Sequence, residues 1–297
     1  MPCSTMPRRS TPSRQREPLS TSLVDTGAPG WRRWVRYALL VVVAIIILFP
    51  IYVMVIAALK PGNKLLQHPL LPTDITTETL RLAWTDGNLG RAMWNSLVVS
   101  VIVTIAQLVT AVLSAYAFAF LRFPGRTFLF AVFLATLLVP FEATVVVNRS
   151  TMQDLGWLNS YQGLAVPFLA TAFGTFLVRQ VFITLPKELL EAARMDGLGH
   201  VGFLREVAVP LARPTLGALA LFGFLSTWNQ YLWPRLISTE SDWNTVQSVL
   251  KEMSQSQIDR PNLVIAGTVI VALPIAVGLL LFQRQLVRGL TAGAVKG

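Results

Sequence analysis

Long uncharged apolar runs alternate with short polar segments along most of the chain. Tyr37–Leu59 carries no charged residue over 23 positions, enough for a helix of about 34 Å, which crosses a hydrocarbon core of roughly 30 Å with some tilt. Similar runs at Ser96–Leu121, Thr127–Phe141, Tyr161–Val178, Thr215–Trp233 and Asn262–Gln283 predict five more spans. The third is the shortest and reaches spanning length only by passing Glu142 to end near Val147. The expected fold is an all-α membrane protein with six transmembrane helices over residues 31–297, preceded by a disordered cytoplasmic tail, 1–30, rich in Ser, Thr, Pro and Arg. The first run is too long, and too far from the N-terminus, for a cleaved signal peptide.

Composition agrees with the pattern. Of 297 residues, 53% are hydrophobic and 13% charged, with mean hydropathy +0.56, whereas a soluble domain carries about 25% charged residues. The one cysteine, Cys3, has no partner for a disulfide. A formal net charge of +10 is compatible with nucleic-acid binding or with cytoplasmic loops enriched in Lys and Arg, and the placement of the charges decides. With the N-terminus inside, the inner segments hold seven basic residues ahead of Tyr37, then Arg122 and Arg126, then Arg179, Lys187, Arg194, Arg205 and Arg213, then Arg284, Arg288 and Lys296. Only eight of the 25 basic residues fall outside. Both termini are expected in the cytoplasm and no nucleic-acid partner is expected.

Within the spans, Ala111, Ala115 and Ala119 share one helix face, as do Ala272 and Ala276; such faces allow close helix approach, either as a mobile seam or as static packing. Pro50, Pro140 and Pro274 should kink or end their helices.

The longest cytoplasmic connection, within 184–214, reads Thr-Leu-Pro-Lys-Glu-Leu-Leu-Glu-Ala-Ala-Arg-Met-Asp-Gly from Thr184 to Gly197. Pro186 suits a first helical turn, Glu188 and Glu191 complement the dipole, and Gly197 suits a stop. A second stretch, Leu198–Val207, is expected to end at Pro210. Its acidic residues make docking to another protein a better fit than a membrane-surface helix.

Glu191-Ala192-Ala193, Gly197, Val207, Val209 and Pro210 keep the spacing of the signature of the permease subunits of binding-protein-dependent ATP-binding-cassette importers, which this chain resembles, with Val replacing Ile and Leu. Arg122-Phe-Pro-Gly-Arg126 and Gln283–Leu290 are similar to the carbohydrate-uptake branch, in particular the maltose importer's smaller permease. Val139–Ala143, Leu158–Gly163, Phe176–Gln180 and Trp228–Pro234 resemble the permease of glycerol-3-phosphate and glycerophosphodiester importers. The resemblance implies a type I importer permease fold working with a second homologous permease, two copies of a cytoplasmic ATPase subunit and an extracytoplasmic substrate-binding protein in a bacterial inner membrane. It also implies that Glu191, Ala192, Ala193 and Gly197 lie on a coupling helix seated in an ATPase cleft, with Pro210 following it. Arg194 and Asp196 either add contacts there or are solvated. The chain has no phosphate-binding Gly-x-x-x-x-Gly-Lys-Ser/Thr loop, so ATP and Mg would be bound by the ATPase subunits and this chain would hold no cofactor, metal or catalytic residue. The implied C-terminal tail is 283–297.

Two places are candidates for the substrate path. Glu142, beside Pro140, either lines the cavity, where it would attract the cation of glycerophosphocholine, or forms an ion pair with Arg149 or with the partner permease. Trp228, Asn229, Gln230, Tyr231 and Trp233 are either an aromatic belt at the interface or an aromatic and amide face for a polyol or cation. The rival classes are weaker. With only His68 and His200, both in loops, an intramembrane enzyme lacks a metal set or base. A secondary transporter would need more charge within the spans for ion coupling. A di- or oligosaccharide substrate remains the main alternative to glycerol-3-phosphate.

Overall fold

The computed structural model describes residues 30–62 and 70–292, with side chains omitted for several positions, among them most of those beyond Leu280. The expected tail, with Cys3, lies outside these residues, as do Lys64, His68 and Lys296, while the Arg284 and Arg288 side chains are not described. The chain divides into two compact units, residues 1–51 and 52–297.

The described part of the first unit belongs to helix α1, Gly30–Ala58, which runs through Pro50. In the second unit the elements are α2 (Glu78–Asp86), α3 (Leu89–Phe120), α4 (Arg126–Ala135), α5 (Phe141–Asp154), α6 (Tyr161–Ala165), α7 (Ala172–Thr184), α8 (Lys187–Met195), α9 (His200–Phe203), α10 (Val209–Trp228), α11 (Leu232–Ile237), α12 (Val246–Ser256) and α13 (Pro261–Ala292). No strand occurs among the described residues. Four helical segments are long and apolar enough to cross a membrane: Arg33–Ala58, Leu89–Phe120, His200–Trp228 and Pro261–Leu280. Two bent pairs, Arg126–Leu138 with Phe141–Asp154 and Tyr161–Phe168 with Ala172–Thr184, bring the number to as many as six.

The bent pairs correct the sequence expectation. The third run does not continue to Val147, because the chain turns by 94° at Val139-Pro140. Val139 is extended (φ −85°, ψ 111°), as a residue before proline prefers, and Pro140 has no N–H to continue the ladder. The fourth run bends by 46° at Leu169–Thr171. Broken backbone at membrane depth needs other partners for its carbonyls, and α3 supplies them. Gln107 Nε2 donates to Phe168 O at 2.9 Å and Thr110 Oγ1 to Leu169 O at 3.1 Å.

The expected helix end at Pro210 is also corrected. A π turn at Leu204–Ala208 joins α9 to α10, its last bond running from Val209 N–H to Leu204 O. The wider turn frees the position where the Pro210 ring would otherwise meet the preceding turn, so the helix continues to Trp228. Conversely, the fifth run stops at Trp228, and Trp233 belongs to α11. Helix α13 passes Pro274 and continues through Ala292, so most of the expected 283–297 tail is helical.

Three apolar clusters organise the second unit. One joins Ala58, Leu89, Ala92, Trp228 and Val246 to α13. A second joins Ala111, Ala115 and Tyr116 of α3 to Val178, Phe182, Ala193, Phe203, Ala208 and Ala212. The third gathers Val99, Val103, Val145, Leu164, Trp233 and Ile237. Ala111 and Ala115 are therefore close-packing positions: a Cβ added to Gly174 of α7 would lie 3.3 Å from that of Ala111. Ala276, by contrast, is exposed.

Candidate functional site

Helix α8 holds Glu191, Ala192 and Ala193 of the spaced motif. Its periodicity divides it into two faces. Leu190 and Ala193 turn inward, and Ala193 is buried against Tyr116, Phe182 and Phe203 at the Phe120 end of α3. Glu188, Leu189, Glu191, Ala192, Arg194, Met195 and Asp196 are exposed, Met195 at 88%.

The helix ends in a Schellman turn. Gly197 takes φ +80°, Leu198 N–H donates to Ala193 O at 2.8 Å, and Gly197 N–H donates to Arg194 O at 3.0 Å. Leu198 then packs in the same cluster as Ala193, which fixes the angle between α8 and the following segment. Tyr116 Oη lies 2.8 Å from His200 Nδ1, and Phe120 meets Phe203 edge to face with centroids 5.3 Å apart. Helix α8 is thus fastened to α3, α7 and the α9–α10 rod along one face and free along the other. Pro210 is half-buried on that rod, beyond the π turn.

Glu142 occupies the first turn of α5, just past the 94° break, exposed. The ion pair with Arg149 does not form. Arg149 instead donates from Nε to Leu236 O at 3.1 Å and from Nη1 to Gln153 Oε1 at 3.3 Å, and no described side chain pairs with Glu142. The positive end of the α5 dipole favours the carboxylate there.

The Trp228–Trp233 group separates. Trp228 is buried and stacks on Phe224 at 5.6 Å. Its Nε1 has no partner among the described residues. Trp233 is fully buried, donates from Nε1 to Gly163 O at 2.9 Å, and meets Phe141 edge to face at 5.7 Å. An aromatic face open to solute is therefore corrected at both tryptophans, because each indole fills the core of its own cluster. Asn229 and Tyr231 are exposed and Gln230 is half-buried. Asn229 donates to Leu225 O at 2.8 Å and accepts from Gln247 Nε2 at 3.2 Å.

The sequence reading passed over Gln107. Besides satisfying the carbonyl at the α6–α7 break, it lines a cavity of ≈240 Å³ with Thr171, Phe173, Phe222, Gly223 and Ser226. A Cβ on Gly223 would lie 2.7 Å from Gln107 Oε1. An amide inside an otherwise apolar run was the available signal. No three His, Cys, Asp or Glu side chains come together as a metal site among the described residues.

Comparison with known proteins covers nearly all of these elements. The model of the family "Binding-protein-dependent transport system inner membrane component" matches residues 28–291. The sn-glycerol-3-phosphate transport system permease protein UgpE of Brucella abortus (strain 2308) is 34% identical over 267 residues, 86% of this chain and 95% of that protein. Its namesake in Yersinia enterocolitica is 35% identical over 264 residues, 86% and 94% of the two chains. Among solved structures, a chain of a bacterial ABC transporter involved in import of the acidic polysaccharide alginate superposes with TM-score 0.72 at 25% identity, over 86% of this chain and 96% of that one. With the match running through α8, its docking cluster and every apolar helix, the chain belongs to the inner-membrane permease components of binding-protein-dependent ABC transporters, multi-pass membrane proteins that transport rather than catalyse.

Proposed function

We propose that this chain is one permease of an importer for glycerol-3-phosphate or a glycerophosphodiester such as glycerophosphocholine. The observation carrying the substrate class is 34% identity to UgpE over 95% of that protein's length. The assembly comprises this chain, a second homologous permease, two ATPase subunits that bind ATP and Mg, and an extracytoplasmic substrate-binding protein. Both termini lie in the cytoplasm of a bacterial inner membrane in this reading, which an even count of six spans and the concentration of Lys and Arg on the α8 side support.

Helix α8 is the coupling helix. Glu191, Ala192, Arg194, Met195 and Asp196 meet an ATPase subunit, while Ala193 and the Gly197 turn pass its displacement to α3 and α10. The division into one docked and one free face supports this reading. Glu142, Asn229, Gln230 and Tyr231 face the solute path, and Trp228 and Trp233 support it from behind. An unpaired carboxylate suits the trimethylammonium group of a choline diester better than a bare phosphate.

The test is uptake of labelled glycerophosphocholine, glycerol-3-phosphate and a disaccharide in cells with and without this chain. Loss of the glycerol phosphates alone is expected. Loss of the disaccharide alone would transfer the assignment to the sugar importers, the reading favoured by the alginate transporter's structural likeness.

A further inference from the structure

The Arg122-Phe-Pro-Gly-Arg126 segment between α3 and α4 has no part in the sites above. An open cavity of ≈540 Å³ lies on it, lined by Arg122, Phe123, Gly125, Arg126, Thr127 and Phe128. This lining brings two guanidinium groups and a hydroxyl together with no carboxylate. Arg122 is exposed and has no partner among the described residues. Arg126 spends one N–H, from Nη1 to Leu121 O at 3.2 Å, and keeps the rest of its fork. The nearby Arg179 is already engaged, with its guanidinium 4.2 Å over the Phe130 ring and Nε donating to Phe118 O at 3.3 Å.

What adjoins the cavity narrows the ligand. Helix α4 has no buried residue along its length. Phe128 is 71% exposed, and Leu129 and Val132 are also exposed. An acidic protein surface would satisfy the arginines and leave these three apolar side chains uncovered. A molecule with a phosphate at one end and hydrocarbon at the other matches both parts. We propose that Arg122 and Arg126 hold the headgroup phosphate of an anionic phospholipid whose acyl chains lie along Phe128, Leu129 and Val132. Its assignment to the cytoplasmic leaflet rests on the topology proposed above. Guanidinium groups suit this role because their fixed fork meets two phosphate oxygens at once.

The test uses the complete importer in detergent, titrated with short-chain phosphatidylglycerol and with phosphatidylcholine, with bound lipid counted by native mass spectrometry. Affinity for phosphatidylglycerol is expected to fall about fivefold per arginine removed in Arg122→Gln and in the Arg122→Gln, Arg126→Gln pair, while phosphatidylcholine binding stays the same. Unchanged phosphatidylglycerol affinity in the pair overturns the proposal. So does displacement of the lipid by equimolar inorganic phosphate, which would mark a free-anion site, or loss of ATPase subunits with lipid affinity retained, which would mark a protein contact. Should the pair fail to assemble, Arg122→Gln decides alone, since Arg122 makes no bond to another described residue. Lipid counting needs no transport, so a wrong substrate assignment in the uptake test leaves this result readable.

Discussion

At the Leu89 end of α3 the connecting segments are tied by directed hydrogen bonds, whereas at the Phe120 end α8 and α9 are held mainly by apolar contact. Asn159, in the left-handed region at φ +49°, accepts from Thr239 N and Glu240 N at 2.7 and 3.2 Å and donates to Thr239 Oγ1 at 2.7 Å. Asn95 donates to Asp242 O and Asn244 O at 2.7 and 3.1 Å and accepts from Tyr161 Oη at 3.0 Å. Ser96 Oγ accepts from Val246 N at 3.0 Å. At the other end, α8 rests on Phe182, Phe203 and Tyr116 through Leu190 and Ala193, with Tyr116–His200 as a polar contact. Hydrogen bonds fix one geometry, while packed apolar surfaces allow small sliding at modest cost. Under the coupling role proposed for α8, the firm frame lies at one end of α3 and the movable joint at the other.

The largest effect should come from Gly163→Ala. The new Cβ would collide with the Trp157 carbonyl oxygen, backbone that cannot step aside, so a loss on the order of 3 kcal/mol or more is expected, read as lost complex yield and a lower Tm. Asn159→Ala should cost about 2 to 3 kcal/mol, because it removes the bonds to Thr239 and Glu240 and strains the left-handed backbone. Asn159→Gly keeps the backbone region and should recover part of that. If both variants melt with wild type, hydrogen bonds do not frame this end.

Met195→Glu tests the movable joint. The side chain is 88% exposed, so stability should stay within about 0.5 kcal/mol of wild type, while uptake falls about tenfold or more through a buried unpaired charge at the proposed ATPase contact. Normal uptake would remove α8 from the coupling route. Glu142→Gln should assemble normally and lose uptake of the choline diester more than of glycerol-3-phosphate, and equal uptake of both would take Glu142 out of the path.

The smallest effect concerns α2. Arg81 donates to Glu78 from Nε and Nη2 at 3.0 and 2.9 Å, and these bonds hold the Glu78 carboxyl below its usual value of 4.5. A lowered folded-state pKa contributes stability above pH 4.5 that is lost as pH falls through the lower value. Glu78→Gln should therefore melt slightly earlier at neutral pH and together with wild type in acid. On a solvated pair the difference should be near the limit of detection.

The apolar runs and the spaced motif were legible because each rests on local chemistry: absence of charge, a proline start, a glycine stop. Breaks within runs were harder to read. Pro140 announced one, but nothing in Leu169-Ala170-Thr171 announces the other until Gln107 and Thr110 are seen capping its carbonyls from a distant helix. The tryptophans misled for a similar reason. A Trp near a span's end satisfies an interface reading by position alone, and only the Gly163 carbonyl opposite Trp233 and the Phe224 ring beneath Trp228 reveal core positions. Of the segments that mark the subfamily, Leu158–Gly163 belongs to the hydrogen-bonded frame, with Asn159 bonded to Thr239 and Glu240 and Ser160 capping α6.

The π turn at Leu204–Ala208 has a consequence for phase. An extra residue in one helical turn rotates everything after it by about 100° relative to an uninterrupted α-helix, so the azimuth of Gly223 and Trp228 is set five turns below them. Deleting one residue between Leu204 and Ala208 would let the segment close as plain α-helix with Gly223 and Trp228 still directed at α3, whereas straightening the π turn without a deletion would swing both away. The count of residues from Gly197 to Trp228 is therefore as much a part of the design as their identity.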